Sequence, residues 1–596
     1  MTINEEICKV RQMMEKNHID ACIIPGADPH MSEYFPAQWG TVTYMSGFTG
    51  EAGTFVITKD MAGLWTDGRY YIQAEAELAA GEGVLFKASE PETPSIKKYL
   101  KENLPEGAVV GVNGRLFSAS YIKGLQKEWA EKKITIDTHV DYANQVWDGD
   151  GRPQEVFTEV YDLPIEFCGK SAADKLTEVR KSLRDKKADA LVVSKLDNVA
   201  WLFNVRASDV KCNPVLTAYA YVDQTRAVLY TEGSRVPASV QEMLKGNGVE
   251  LRPYEAVFED LASMEEKLTV ACDENELNFN IYEAAAGNKA LKTENITDPI
   301  PLMKACKNET ETKNTFKAYL YDGCAEAEFY GWLFEELEAG HEFDEWELAQ
   351  KLLSFRKEQP DFKEDSFDPI LAYRENAAMM HYGPKPGSAK KIQRSHLLLN
   401  DSGGQYLWGT TDTTRTVALG EITEEERHDF TIVLKSVIAL STACWKEGTT
   451  GRDLDILSRN NLWQLGLDYR CGTGHGVGYL LNVHEGPQSF RNSEPLKEGM
   501  VLTIEPGIYT EGSHGIRTEN AAVIRKSEKT EYGQFYHFET FTLVPIDTKC
   551  LNLALMNDVE IRWLNEYHAH VYDMVSPHVS DRAKKWLYEA TRPVSR

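Results

Sequence analysis

The strongest indication of fold in this 596-residue chain is the segment DSGGQYLWGTTDTTRT at residues 401–416. The apolar run HLLLN, residues 396–400, precedes it and predicts a buried β-strand. The segment carries two carboxylates, Asp401 before a glycine-rich turn and Asp412 within GTTDTTRT. Taken alone, each aspartate is more typical of a turn or an exposed strand than of a catalytic site. Their meaning depends on the side chains that the rest of the chain supplies.

A glycine-rich segment further along contains the most suggestive histidine. GTGHGVGYLLNVHEGP, residues 472–487, surrounds His475 with glycines, which let the backbone approach a neighbouring group closely. It has no P-loop lysine and its spacing is not GxxxxGK, so a phosphate-binding loop is not indicated. His484 near its end, and His381 in MMHYGP, are each compatible with an ordinary half-buried histidine. The three histidines therefore gain significance only in combination.

Two shorter segments supply further charged side chains. TIEPGIY, residues 503–509, places Glu505 at the end of an apolar strand. GIRTEN, residues 515–520, contains Arg517 and Glu519, and the two-residue period of a strand puts both on one face. A surface ion pair explains this spacing as well as a functional site does, so the pattern alone does not choose between them.

Combined, these side chains suffice for two adjacent divalent cations. Two metal ions roughly 3.5–4 Å apart need bridging carboxylates and a bridging water or hydroxide. A ligand set dominated by carboxylates favours hard ions such as Mn²⁺, with Co²⁺, Fe²⁺ and Zn²⁺ as alternatives. The absence of HExxH argues against a single-zinc protease. The predicted metal ligands are four carboxylates and one imidazole, Asp401, Asp412, His475, Glu505 and Glu519.

The order of these segments resembles that of the pita-bread metallopeptidases, a superfamily that includes methionine aminopeptidase, prolidase, creatinase and aminopeptidase P. The resemblance is strongest to the long, three-domain cytosolic type of Xaa-Pro aminopeptidase. It extends to YMSGFTGEAGTFVIT at 44–58 and WTDGRYYIQAEAEL at 65–78, which look like that family's first domain, and to LNEYH at 564–568. It therefore spans effectively the whole chain.

The resemblance implies a role for each matching residue. The five predicted ligands match the family's five metal ligands, with Asp412 and Glu519 at the positions that bridge the two ions. Glu505 is implied to accept a proton from the bridging water in addition to binding metal. The other matches are His381 and His484, which contact the substrate and the developing tetrahedral intermediate; Arg69, which reaches the peptide-binding cleft; and Arg517, which orients a ligand carboxylate.

The implied activity is hydrolysis of the N-terminal Xaa-Pro bond of peptides, with the metal-bridging water or hydroxide as the nucleophile. The expected partners are peptide substrates with proline at the second position, and a homodimer is expected from the resemblance. Prolidase, which cuts only Xaa-Pro dipeptides, is the nearest alternative. A non-catalytic pita-bread module that binds peptides or proteins is an alternative from another class, and retention of all five ligands argues against it. Creatinase-like chemistry is disfavoured because creatinases lack this metal set.

Two positions depart from the family pattern. Cys471 stands just before GTGHGVG, where family members commonly have histidine. It is outside the ligand set, so we expect metal binding to survive the change. Trp408 stands where a polar residue is usual in the turn before GTTD, and we expect no catalytic consequence from it.

The first two thirds of the chain contain an internal repeat. One copy starts near Glu6 and the other near Lys175, and each has the pattern of an amphipathic helix, a short apolar strand and a second helix. The predicted strands are residues 21–25 and 190–194. This alternation predicts α/β layers. Two prolines in DPIP, residues 298–301, then indicate a linker.

Beyond this linker, apolar residues at helical spacing predict a long helix that stops at Gly340. Short β-rich runs at residues 396–399, 501–504 and 521–524 then alternate with helices. We therefore expect a multidomain protein of mixed α/β and α+β class. Its predicted parts are two creatinase-like N-terminal α/β domains, residues 1–156 and 157–301, and a pita-bread catalytic domain with a C-terminal extension, residues 302–596.

Composition argues against several functional classes. The chain has 92 acidic and 65 basic residues, a net charge of −27, so no nucleic-acid partner is expected. No segment approaches the ~20 apolar residues that span a bilayer, and the start lacks the apolar stretch of a signal peptide. Ten scattered cysteines without a CxxC pair indicate reduced thiols. We therefore expect a cytoplasmic protein with no membrane partner.

Overall fold

The computed structural model describes residues 2–50, 52–79 and 81–596. Glu51, within the motif at 44–58, lies outside the described residues. The chain divides into an N-terminal unit, residues 1–164 and 170–300, and a C-terminal unit, residues 165–169 and 301–596. A membrane-spanning helix is absent from the part of the chain that the structure describes, because its helices are too short or too polar.

Within the described residues, the α-helices are α1 (Ile3–Lys16), α2 (Thr41–Ser46), α3 (Tyr71–Leu78), α4 (Ile96–Asn103), α5 (Ala119–Trp129), α6 (Tyr142–Asp148), α7 (Ile165–Cys168), α8 (Ala172–Asp185), α9 (Leu196–Phe203), α10 (Ala238–Gly246), α11 (Ala256–Ser263), α12 (Phe279–Gly287), α13 (Ile300–Ala305), α14 (Glu309–Glu338), α15 (Glu345–Lys357), α16 (Glu424–Ser441), α17 (Gly451–Trp463), α18 (Asp558–Val575) and α19 (Asp581–Ala590). The strands of the N-terminal unit are β1 (Ala21–Pro25), β2 (Thr54–Thr58), β3 (Ala62–Thr66), β4 (Val84–Lys87), β5 (Val109–Gly111), β6 (Thr135–Asp137), β7 (Tyr161–Asp162), β8 (Ala190–Val193), β9 (Val205–Arg206), β10 (Tyr219–Asp223), β11 (Ala227–Tyr230), β12 (Val249–Arg252), β13 (Leu268–Cys272) and β14 (Leu291–Asn295). Those of the C-terminal unit are β15 (Phe362–Asp365), β16 (Ile370–Tyr373), β17 (Leu397–Ser402), β18 (Gly404–Tyr406), β19 (Gly409–Thr410), β20 (Thr413–Ala418), β21 (Cys444–Lys446), β22 (His475–Gly476), β23 (Glu485–Ser489), β24 (Val501–Ile504), β25 (Gly507–Thr510), β26 (His514–Arg517), β27 (Asn520–Thr530) and β28 (Gly533–Thr540).

Within its described residues, the N-terminal unit contains two six-stranded sheets of the same topology. Their strand orders are β4-β3-β2-β1-β5-β6 and β12-β11-β10-β8-β13-β14. In each sheet the first three strands along the chain pair antiparallel, and the remaining neighbours pair parallel. The strands β1 and β8 hold equivalent places and are buried along their whole length, as expected for strands with helices on both faces. The predicted repeat is therefore confirmed at the level of topology.

The two copies of the repeat differ after their first strand. In the second copy α9 follows β8, as predicted, but residues 26–36 after β1 form an irregular loop. Pro29 and Pro36 explain the difference, because proline lacks a backbone N–H and disfavours helical conformation in the residue before it. The helix predicted at this point of the first copy is therefore wrong.

The long helix predicted after the linker is α14. Asn308 accepts a hydrogen bond from the N–H of Glu311, and the Glu311 side chain accepts one from the N–H of Asn308. This capping box fixes the start of the helix. Gly340, with a φ of 85°, follows its end in the left-handed conformation that glycine adopts readily. The predicted helix and its stop are confirmed.

The DPIP segment before α14 is more ordered than a linker. The buried side chain of Asp298 accepts a hydrogen bond of 2.8 Å from the N–H of Ile300, the first residue of α13. Pro301 fits the first turn, where backbone N–H groups have no partner within the helix. The segment does lie at the boundary between the two units, but a short helix starts there, so it is not an irregular linker.

Four sheets form the β-structure of the C-terminal unit, within its described residues. They are β15-β18-β19, β16-β17-β20, β21-β28-β27-β24-β22-β23 and β25-β26. The strands predicted at residues 396–399, 501–504 and 521–524 are observed as β17, β24 and part of β27. These strands carry the predicted site residues at or beside their ends.

Residues 165–169 belong to the C-terminal unit although the chain on both sides of them does not. Asn314 on α14 donates hydrogen bonds of 3.2 and 3.3 Å to the backbone oxygens of Glu166 and Phe167. The Phe167 ring packs against the Trp408 ring, with centroids 4.8 Å apart. Trp408, one of the two departures from the family pattern, therefore packs against the segment at residues 165–169.

Candidate active site

The predicted ligand side chains lie on different strands of the C-terminal unit. Each of these residues follows or precedes a run of buried residues, so the strand backbone fixes the position of its side chain. Asp401 lies in β17, Asp412 directly before β20, His475 at the start of β22, Glu505 directly after β24, and Glu519 directly before β27.

Three of these side chains form a compact group. One ligand atom each from Asp412, His475 and Glu519 lies within 4.8 Å of the other two. His475 Nε2 is 3.3 Å from Asp412 Oδ2 and 3.5 Å from Glu505 Oε1. Nδ1 of the same ring donates to the backbone oxygen of Gly476 at 2.9 Å. Nε2 therefore carries the lone pair in the neutral ring, which is the tautomer that binds a metal through this nitrogen.

Arg517 connects Asp401 to the group. Its Nη2 donates to Asp401 Oδ2, and its Nε lies 3.9 Å from Glu505 Oε2. The same Nε donates to Thr414 Oγ1 at 3.1 Å, and Nη1 donates to the Tyr509 hydroxyl at 2.7 Å. The buried guanidinium thus links two of the predicted ligands in one charged network, and its role in orienting a ligand stays a prediction.

Two threonines that the sequence reasoning did not single out also hold this group. Thr414 Oγ1 donates to Glu519 Oε2 at 2.7 Å, and Thr503 Oγ1 donates to Glu505 Oε1 at 3.1 Å. Each threonine lies two residues from a predicted ligand, so strand periodicity places it on the same face. That signal was available in the sequence.

Tyr319 is a further supporting residue, and no sequence signal marks it. It lies on the apolar stripe of α14, where an aromatic side chain is ordinarily a core residue. Its hydroxyl accepts a hydrogen bond of 3.1 Å from the backbone N–H of Asp412, 93 residues away.

The group has more negative charge than its protein partners offset. Burial raises the pKa of Glu519 well above its ordinary value, and the charges of Asp412, Glu505 and Asp401 raise it further. Within the described residues, Glu519 Oε1 and Asp401 Oδ1 are buried without a hydrogen-bond partner. A divalent cation would give these oxygens a partner and offset the crowding of carboxylates. The donor set of four carboxylates and one imidazole therefore fits divalent metal ions.

Known domains match the chain along most of its length. Two family models of the creatinase/prolidase N-terminal domain match the chain, one at residues 7–141 and the other at residues 151–311. Metallopeptidase family M24 matches residues 324–526, and the C-terminal region of peptidase M24 matches residues 534–594. The residues of the candidate site from Asp401 to Glu519 all fall within the M24 match.

Curated relatives match over the full chain. Aminopeptidase P2 of Arabidopsis thaliana is 37% identical, with 100% of this chain and 89% of that protein covered. A probable Xaa-Pro aminopeptidase P of Laccaria bicolor is 38% identical, with 100% and 94% covered. The chain belongs to the Xaa-Pro aminopeptidase P family.

A solved structure in the Xaa-Pro aminopeptidase family has the same fold. The X-prolyl aminopeptidase from Caenorhabditis elegans, described as a cytosolic enzyme with a di-nuclear active site, is 33% identical. The two structures superpose with a TM-score of 0.94 over 100% of both chains. The predicted fold class is confirmed: creatinase-type N-terminal domains precede an M24 pita-bread domain. The exact boundaries at residues 156 and 301 stay predictions.

The substrate-binding residues expected of an Xaa-Pro aminopeptidase lie in different surroundings. The His484 ring packs edge-on against His475, with centroids 4.2 Å apart, which brings it beside the predicted ligands. His381 is half-buried in the loop that follows a 3₁₀ helix. Arg69 lies in the N-terminal unit, where its guanidinium donates to both oxygens of Asp67 at 3.0 and 2.9 Å. Contact of these three residues with substrate stays a prediction.

Cys471, the other departure from the Xaa-Pro aminopeptidase pattern, lies in the loop before β22. Its backbone oxygen accepts a hydrogen bond of 2.9 Å from Arg459 Nη2, and its side chain packs against the apolar core. Burial raises the pKa of its thiol to about 11, so the thiol is protonated at neutral pH. Its place outside the ligand set stays a prediction.

Proposed function

We propose that this protein is a metal-dependent aminopeptidase that hydrolyses the first bond of peptides with proline at the second position. Full-length similarity to Xaa-Pro aminopeptidases supports the reaction and the substrate class. The observation that carries the proposal is the compact group of Asp412, His475 and Glu519, with ligand atoms within 4.8 Å of one another. In this group an imidazole lone pair faces two carboxylates, and buried carboxylate oxygens have no hydrogen-bond partner among the described residues. A purely structural ion pair explains neither feature, whereas a metal site explains both.

Two divalent ions are the cofactors. When bound, they supply Lewis acidity, which lowers the pKa of a water molecule and polarises the scissile carbonyl. Mn²⁺ is the preferred ion, because four of the five ligands are carboxylates. Asp412 and Glu519, whose ligand atoms lie within 4.8 Å of each other, would help to hold the two ions. The full ligand set is Asp401, Asp412, His475, Glu505 and Glu519.

Glu505 accepts the proton that the attacking water releases. Its side chain is 20% exposed, against 6% for Asp412 and 11% for Asp401, so substrate reaches it most readily. The Thr503 hydroxyl donates to Oε1 and fixes the orientation of the carboxylate. Glu505 then delivers the proton to the proline nitrogen, which must gain a hydrogen when the bond breaks.

The histidines and Arg69 bind the peptide. His484 and His381 donate hydrogen bonds to the scissile carbonyl oxygen as negative charge develops on it. The ring contact of His484 with His475 supports this role, because it brings one imidazole beside the ligand group. Arg69 bonds backbone carbonyls or the carboxylate of a longer peptide, since its planar guanidinium offers several donors.

The protein acts in the cytoplasm as a homodimer. The Caenorhabditis elegans relative is described as cytosolic, which supports the location. Apolar side chains concentrated on α17 and the turn after it support an interface, since large exposed apolar groups mark association sites. These side chains are Ile456, Leu457, Trp463, Leu465 and Leu467. A monomeric mass in light scattering at micromolar concentration would contradict the dimer.

The reaction is tested with a purified protein treated with a strong chelator and then dialysed. We expect hydrolysis of an Ala-Pro-Ala peptide to disappear and to return on addition of Mn²⁺, with free alanine as the first product. Ala-Ala-Ala is the matched control and should be cleaved far more slowly. Release of Ala-Pro instead of Pro-Ala, or activity that the chelator leaves unchanged, would overturn the proposal.

A further inference from the structure

A buried polar cluster lies on the face of β17 opposite to Asp401. Side chains alternate along a strand, so Asn400 and Ser402 point away from the predicted metal site while Asp401 points towards it. Asn400 is 1% exposed and Ser402 is fully buried. The two residues on either side of a predicted ligand are therefore anchored in the interior.

Glu326 on α14 contacts both of these anchors. Its Oε2 accepts a hydrogen bond of 2.9 Å from Asn400 Nδ2, and its Oε1 accepts one of 3.2 Å from Ser402 Oγ. Arg356 Nη2 donates to Glu326 Oε1 and to Ser402 Oγ, both at 3.0 Å. One carboxylate thus fixes the strand immediately before and immediately after Asp401.

The arginine is itself held in place. Arg356 Nε donates to Asp322 Oδ1 at 2.8 Å, and Asp322 also accepts from the Tyr406 hydroxyl at 3.0 Å. The side chains of Arg356, Asp322 and Glu326 are at most 1% exposed. Burying three charged groups gains little stability over well-packed apolar residues. The charged cluster instead fixes the orientation of the side chains it contacts, because each hydrogen bond constrains the angle as well as the position of its partner.

The same helix reaches the second aspartate. Tyr319 lies seven residues before Glu326 on α14, so the two side chains share one face of the helix. Tyr319 accepts from the backbone N–H of Asp412, as described above. Along this face, α14 contacts the chain at Asp412 and on both sides of Asp401.

We infer that Glu326 is a positioning residue, which sets the orientation of Asp401 for metal binding through Asn400 and Ser402. The inference rests on the proposed function, because it concerns the same metal site. A ligand carboxylate must be held closely for a metal pair to bind tightly, and outer partners supply that constraint. The hydrogen bonds of Glu326 go to Arg356, Asn400 and Ser402, so it acts on the strand that carries one ligand.

Two single substitutions and their combination test this role. Glu326→Gln turns an amide N–H₂ towards the Asn400 amide N–H₂, and Asn400→Asp turns a carboxylate towards the Glu326 carboxylate. Each single change places like groups opposite each other. The double variant Glu326→Gln with Asn400→Asp restores one donor and one acceptor with the donor direction reversed, and it preserves the net charge of the cluster.

The primary readout is the affinity of the metal-free protein for Mn²⁺, measured by isothermal titration calorimetry. We expect each single variant to bind at least one ion about tenfold more weakly, and the double variant to return to within about threefold of the wild type. The visible spectrum of the Co²⁺-loaded protein should change in the single variants and recover in the double one. Leu333→Ala, an apolar core change on the same helix, is the control. It should lower the thermal midpoint yet leave Mn²⁺ affinity within about twofold.

The inference is overturned if both single variants bind Mn²⁺ like the wild type, or if the double variant fails to recover affinity. It is also overturned if Leu333→Ala weakens Mn²⁺ binding as much as the two single variants do, since that would show an effect of general destabilisation. Should a single variant not fold, Ser402→Ala, which removes one hydroxyl, makes the same test with an expected loss of about threefold. A wild-type protein that binds no divalent ion would instead contradict the proposed function itself.

Discussion

The hydroxyl of Tyr319 accepts a hydrogen bond from the backbone N–H of Asp412 at 3.1 Å. Both residues are buried, so this N–H has no access to water and would be costly to leave unpaired. The contact fixes the backbone at the position from which the Asp412 carboxylate meets His475. The precise placement of this aspartate therefore depends on a helix that begins about a hundred residues before it.

Replacing Asp412 with asparagine should reduce turnover by two orders of magnitude or more and lower the bound metal below two ions per chain. The substitution preserves the shape of the side chain but removes a negative charge that would help to hold both ions. The measurements are kcat on an Xaa-Pro peptide and elemental analysis, with circular dichroism to show that the fold persists. Asp361→Asn, a change at an exposed aspartate of the same unit, is the matched control. Near-normal turnover of the Asp412 variant at micromolar metal would show that the two-metal assignment is wrong.

Replacing either predicted substrate histidine should separate catalysis from metal binding. His484→Ala and His381→Ala should each lower kcat by about 10²–10³, the usual effect of losing a donor to a developing oxyanion. Both variants should retain two ions per chain by elemental analysis, because neither residue is a predicted ligand. His570→Ala, at an exposed histidine, should leave both quantities unchanged. Loss of an ion from either variant would move that histidine into the ligand set.

Substrate length should distinguish an aminopeptidase from a prolidase. We expect kcat/KM to be higher for Xaa-Pro peptides of three or more residues than for the Xaa-Pro dipeptide. Arg69→Ala should raise KM mainly for the longer peptides, because the guanidinium contributes binding energy only where there is extra backbone to contact. The comparison uses one dipeptide and the same sequence extended by one and by two residues. If the dipeptide were cleaved fastest, prolidase would be the better description.

Acid should destabilise the C-terminal unit through His568, which lies in the LNEYH motif. Its Nε2 accepts a hydrogen bond of 3.1 Å from the N–H of Ile546, and burial lowers its pKa to about 4 from an ordinary value of 6.5. Between these values the unfolded chain binds a proton that the folded chain excludes, so stability falls as pH decreases. The integrated loss is about 3 kcal/mol at most.

The His568→Gln variant tests this pH dependence, because glutamine can accept from Ile546 and does not titrate. Thermal midpoints of the metal-free proteins are compared at pH 7 and pH 4.5. The midpoint of the wild type should fall further than that of the variant. His578→Gln, at an exposed position, should behave like the wild type. Equal pH slopes for wild type and His568→Gln would contradict the assignment.

The amino-acid sequence was sufficient for the fold class, because local patterns specify it. Apolar runs predicted β1, β8, β17 and β24, and the repeated helix–strand pattern predicted two sheets that share one topology. Local patterns alone did not select the candidate ligands, which were singled out by the combination of the motifs and by the family resemblance. Each lies at a strand end within a short motif, and the two-residue period of a strand places Arg517 and Glu519 on one face.

Only the tertiary structure revealed which distant groups hold these side chains. Tyr319 and Glu326 have the spacing of core residues on α14, yet one contacts Asp412 and the other contacts both neighbours of Asp401. The loop after β1 and the segment at residues 165–169 likewise differ from any local prediction. A sequence pattern reports which face of a helix or strand is buried. The partner of each buried polar group is decided by packing between elements far apart in the chain, where hydrogen-bond geometry selects one arrangement.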